Sequence, residues 1–85
     1  MITVSNQTSK TIEVAINQWA TDGKTNFFTI KPQQNESWGR GNENGFVMAI
    51  KIDNETSRYY VKAESAIVVY DKKVTDHNKD IFPVG

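Results

Sequence analysis

The chain has 85 residues, enough for a single domain, and a fold of that size buries roughly 60–65% of the surface that its unfolded form exposes. Hydrophobic residues make up 38% and charged residues 24%, and nine aromatics with several β-branched runs set the chain apart from a disordered segment. Ten basic residues balance ten acidic ones, which argues against nucleic acid as a partner and against electrostatic docking on anionic lipid, and leaves self-association open.

In chain order, Ile2 to Ser5 reads as a first strand with Ile2 and Val4 inward, and Asn6 to Ser9 as a turn. Thr11 to Asn17 is the clearest strand, because Ile12, Val14 and Ile16 alternate with Thr11, Glu13, Ala15 and Asn17. The alternation breaks at Gln18-Trp19, the place for a bulge. Asp22-Gly23 tolerates positive φ and should close a hairpin onto Asn26 to Lys31, with Phe28 and Ile30 on one face and Phe27 on the other. Pro32 ends that run. Gln33 to Glu36 reads as loop, and Ser37-Trp38 as the start of a short strand.

Gly39 to Gly45 is a polar, glycine-rich loop. Phe46 to Ile52 follows as a strand with Phe46, Met48, Ile50 and Ile52 on one face, then a turn over Asp53 to Ser57. Arg58 to Ala63 and Ala66 to Tyr70 read as two further strands, and the first must split Tyr59 and Tyr60 between opposite faces. Asp71 to Asp80 reads as irregular. Ile81 to Val84 is an expected edge strand blunted by Pro83. Seven or eight short strands with no helical period predict an all-β fold, a small antiparallel two-sheet Ig-like sandwich in one domain over residues 1–85.

There is no cysteine, no basic-then-apolar leader and no run of membrane-spanning length, so a reducing, cytoplasmic setting is expected, with release by a non-classical route left open. Three sequons, at Asn6, Asn35 and Asn54, carry no weight in that setting.

No catalytic signature emerges. His77 is the only histidine, so neither a Ser-His-Asp nor a His-based metal site has its parts, and the chain is expected not to be an enzyme and to need no cofactor or metal. Asp76-His77-Asn78-Lys79-Asp80 has the opening spacing of a calcium loop but lacks its glycine and its closing glutamate. Gly39, Gly41 and Gly45 precede a strand rather than a helix, so they are not a phosphate cradle.

The segment that stands out is Trp38-Gly39-Arg40-Gly41-Asn42-Glu43-Asn44-Gly45-Phe46. It suits sugar binding: an indole face stacks on a pyranose, Arg40, Asn42, Glu43 and Asn44 hydrogen-bond hydroxyls, and Trp19 offers a second platform. The plainer alternative makes Trp38 a core residue and the glycines a tight turn, and makes Trp19 a lid on the core. The same segment resembles the Trp-Gly-Arg-Gly run of the fungal immunomodulatory proteins, with a polar turn and then an apolar residue opening the next strand. The resemblance covers about a third of the chain. It does not extend to the N-terminus, which is helical in that family and strand-like here. It implies an Ig-like sandwich, a homodimer, and lectin-like binding of glycans or a cell-surface component.

The leading expectation is therefore a non-enzymatic binding module that uses loops at one end of a sandwich, with Trp38, Arg40, Asn42, Asn44 and Trp19 as its site. The alternatives are an assembly protein forming homo-oligomers through sheet faces, and a small membrane-active, toxin-like sandwich, although membrane as a partner fits the charge balance poorly.

Overall fold

The alternating runs become the inner strands of a two-sheet β-sandwich. A computed structural model describes residues 1–17, 26–41 and 43–84, and the expected bulge at Gln18-Trp19 and hairpin at Asp22-Gly23 lie outside them. The described residues form nine strands and no helix: β1 (Ile2–Asn6), β2 (Ile12–Ile16), β3 (Phe28–Ile30), β4 (Asn35–Trp38), β5 (Phe46–Ile52), β6 (Glu55–Val61), β7 (Ala66–Val69), β8 (Val74–Asp76) and β9 (Lys79–Ile81). One sheet has the order β4-β1-β7-β8-β9 and the other β3-β2-β5-β6. All pairings are antiparallel except β1 with β7, which run parallel.

Period-two patterning fixes what each strand buries. Ile2 and Val4 of β1, Ile12, Val14 and Ile16 of β2, Phe46, Met48 and Ile50 of β5, and Ile67 and Val69 of β7 meet in one core between the sheets. Register carries this across strands: Ile2 lies opposite Trp38, and Met48 lies between Ile16 and Tyr59. A slip of one residue would turn every one of these side chains to water, so burial itself holds the register.

The sequence reading needs correction in three places. Asp71 to Asp80 is not irregular, since β8 and β9 form a hairpin there, closed by His77 and Asn78 at φ 50° and 68°. Asp53 and Asn54, at φ 52° and 66°, make the same two-residue turn between β5 and β6, so β6 begins at Glu55. Paired positive φ angles define the type I′ turn, whose twist matches that of the strands. The third correction is that β4 starts within the expected loop, at Asn35. Pro32-Gln33 precedes it as a turn, with Gln33 at φ 69° and the Gln34 N–H donating to Lys31 O at 3.1 Å.

The two long sides of the sandwich are closed differently. Where β3 faces β4, the rings of Phe28 and Trp38 pack at 5.8 Å between centroids. Where β9 faces β6, residues 82–84 cross from one sheet to the other, and the Val84 N–H donates to Arg58 O at 2.7 Å. A polar staple near one end ties the sheets together. Asn6, fully buried at the end of β1, donates from Nδ2 to Lys10 O (2.8 Å) and to Ile30 O of β3 (2.9 Å), and its Oδ1 accepts from the Thr8 N–H (2.9 Å). The Asn6 sequon is thus internal in the folded chain.

Candidate functional site

Trp38 and Arg40 are not at the surface. Trp38 is the last residue of β4, and its parity with Ile2 aims the indole inward, where it is 3% exposed. Its Nε1–H is buried without a hydrogen-bond partner. A ring in that position has no face to offer a sugar. Arg40 is also 3% exposed. Its Nε donates to Asn17 O (2.9 Å) and Nη2 to the buried Ile16 O (3.0 Å), so the guanidinium satisfies carbonyls at the end of β2. Asn17 completes the join: its Oδ1 accepts the Val47 N–H at 2.7 Å. The Arg40 fork therefore acts within the fold, fastening the link between β4 and β5 onto the opposite sheet.

Asn42 and Trp19 lie outside the described residues. Asn44 is exposed in the turn before β5. Of the three glycines, only Gly45 is required by geometry: its φ is +86°, and a Cβ there would sit 3.3 Å from Val61 O. Gly39 and Gly41 have open space around them and no positive φ.

Two grooves lie on the side where β6 faces β9. The first, of about 620 Å³, is floored by inward residues such as Ile50, Tyr59, Val69 and Ile81. Its rim mixes Lys10, Lys72 and Lys73 with Asp53, Glu55 and Asp71, so it has no net sign. Lys10 is bonded to Asp53, whose hydrogen bond and charge hold the ammonium above its ordinary pKa. Burial likewise pushes the Tyr59 phenol above its ordinary value, against a smaller opposing effect from its hydrogen bond with Ser57.

The second groove, of about 670 Å³, lies at the end where Arg40 sits. Phe46, Val61, Ala63 and Ile81 make an apolar floor, and Tyr60 forms one wall. Tyr60 is 70% exposed, because β6 turns Tyr59 into the core and must turn its neighbour out. Glu43, Asn44, Lys62 and Glu64 supply hydrogen-bonding groups around the rim. Of the expected site residues that the structure describes, Asn44 lines this groove and Trp38 and Arg40 do not. Trp38 follows the plainer of its two readings, a core residue, and the exposed ring at this groove is Tyr60, whose exposure the adjacent tyrosine pair signals.

Beside this groove, Ser65, Asp76 and His77 come together without forming a catalytic relay. Ser65 Oγ donates to Asp76 Oδ2 (2.6 Å) and accepts the Lys62 N–H (2.8 Å), while Asp76 Oδ1 accepts the Ala66 N–H (3.0 Å). His77 Nε2 lies 2.8 Å from Glu64 O and makes no bond to the serine. The hydroxyl is thus committed to organising the β6–β7 turn. Among the described residues no group of three or more His, Asp or Glu is placed to hold a metal, and no helix is long and apolar enough to cross a membrane.

No model of a protein family, no curated protein and no solved structure matches the chain.

Proposed function

We propose that the chain is a non-enzymatic binding module whose site is the groove beside Tyr60, and that it takes a glycan or another surface-displayed group with an apolar face and hydroxyls. The observation that carries this reading is the Tyr60 ring, 70% exposed at a groove of about 670 Å³ that Phe46, Val61, Ala63 and Ile81 also line. A phenol in that setting stacks on the C–H face of a pyranose. Polar groups confined to the rim then orient the hydroxyls, which is the usual division of labour in a small-ligand site. The loops hold these groups on a rigid pair of sheets.

The test is a glycan array probed with wild type, Tyr60→Ala and Trp38→Phe. Tyr60→Ala should abolish the binding that wild type shows, and Trp38→Phe should retain it. Binding that survives Tyr60→Ala in a folded protein, or a wild type that binds no glycan, removes the proposal.

A further inference from the structure

β6 is the longest edge strand in the described fold, with seven residues against three in β3, four in β4 and three in β9. An edge of that length presents unpaired backbone groups, which proteins ordinarily protect with Lys, Pro or a bulge. Residues 55–61 contain neither Lys nor Pro, and their pairing with β5 is continuous from Ile52↔Glu55 to Phe46↔Val61. Arg58 O faces the free side, because it accepts the Val84 N–H. Backbone groups alternate sides along a strand, so those of Thr56 and Tyr60 face the same way. Among the described residues, Val84 makes the only backbone bond across this edge outside the β5 ladder. The segment that carries it is lightly held, since Phe82 is 75% exposed and Pro83 is also exposed.

We propose that residues 82–84 guard the β6 edge, and that when they lift, β6 pairs antiparallel with β6 of a second copy, setting Arg58 opposite Tyr60 of that copy. Charge favours this register over the two on either side of it. Full overlap of the two strands sets Arg58 against Arg58, and a slide of two steps from full overlap, toward the β6–β7 turn, sets Arg58 against Lys62. Both oppose like charges, which destabilises a strand pair. The register between them instead places a guanidinium beside a phenol ring twice, once on each side of the two-fold axis, and Tyr59 meets Tyr59 on the axis itself. A net charge of zero adds no bulk repulsion between copies.

The test uses full-length chains in the absence of glycan, because Tyr60 serves both the groove and this seam. Val84→Pro removes the guarding N–H and leaves β6 intact. One hydrogen bond lost from the competing contact should tighten self-association by between about twofold and about tenfold in sedimentation equilibrium. Arg58→Pro removes an N–H that faces the free side and leaves the β5 ladder whole, so it should stay folded by circular dichroism and remain monomeric. In a mixed sample of isotope-labelled and unlabelled Val84→Pro, an intermolecular contact between the Tyr59 Hα protons should appear. A Val84→Pro chain that associates no more tightly than wild type, association that survives Arg58→Pro, or intermolecular contacts at another strand would each overturn the proposal.

Discussion

Asn6→Asp replaces an amide with a carboxyl of nearly the same shape and inverts one end of the staple. In the wild type, Nδ2 gives both of its hydrogens, to Lys10 O and to Ile30 O, inside a fully buried site. A carboxylate there donates to neither. Lys10 O keeps the Thr8 hydroxyl as a donor at 2.8 Å, whereas the buried Ile30 carbonyl is stranded, so the variant should lose about 1–3 kcal/mol at neutral pH. A chain of this length holds only about 4–13 kcal/mol in total. At about 4–8 °C per kcal/mol, the melting temperature should fall by about 4–24 °C. Burial among carbonyls also raises the new carboxyl's folded pKa above its unfolded value of about 3.9. The native state then holds a proton that the unfolded state has released. Stability of the variant relative to wild type therefore falls as pH rises from about 4 and recovers on acidification, when the protonated group donates to one carbonyl again. Thermal melts followed by far-ultraviolet circular dichroism across that range read the effect. A variant as stable as wild type at neutral pH, or one whose deficit grows toward acid, would refute the account of the staple.

Trp38→Ala should cost about 3–5 kcal/mol in urea unfolding, whereas Trp38→Phe should cost far less, because it keeps a core ring and removes the orphaned Nε1–H. In a Trp19→Phe background, Trp38 emission should be blue-shifted and protected from acrylamide. Arg40→Lys should lose about 1–3 kcal/mol, since an ammonium does not span the Ile16 and Asn17 carbonyls as the guanidinium fork does, and it should leave ligand binding unchanged. Tyr59→Phe tests the raised phenol. Its contribution is fully present below the unfolded value of about 10 and is lost as pH rises through the folded value, so wild type should lose stability relative to Tyr59→Phe only in strong alkali.

The alternating strands were legible because period two reports directly on burial. Ile12, Val14 and Ile16, and Phe46, Met48 and Ile50, lie on the face that their spacing implies. The β8–β9 hairpin escaped notice because its strands have three residues each and its turn is His77-Asn78, with no glycine to mark the positive φ angles. The burial of Trp38 and Arg40 was hard to read for a different reason. Trp-Gly-Arg-Gly has the composition of an exposed loop, but Trp38 ends a strand whose facing is set by pairing with Ile2, 36 positions away. Arg40 is a charged residue with the backbone carbonyls of Ile16 and Asn17 among its partners, and composition does not reveal those. Tyr60 was visible through local parity alone: two adjacent tyrosines on one strand must face opposite ways, and Tyr59 takes the core.

The proposed groove is tested most directly by mapping amide chemical shifts in a nitrogen–proton correlation spectrum while the glycan that binds best on the array is titrated in. The account predicts that the largest changes cluster at Asn44, Tyr60, Val61 and Ala63, with the Trp38 indole signal unmoved. Changes centred on Lys10, Tyr70 and Phe82, or on Trp38 and Arg40, would contradict it.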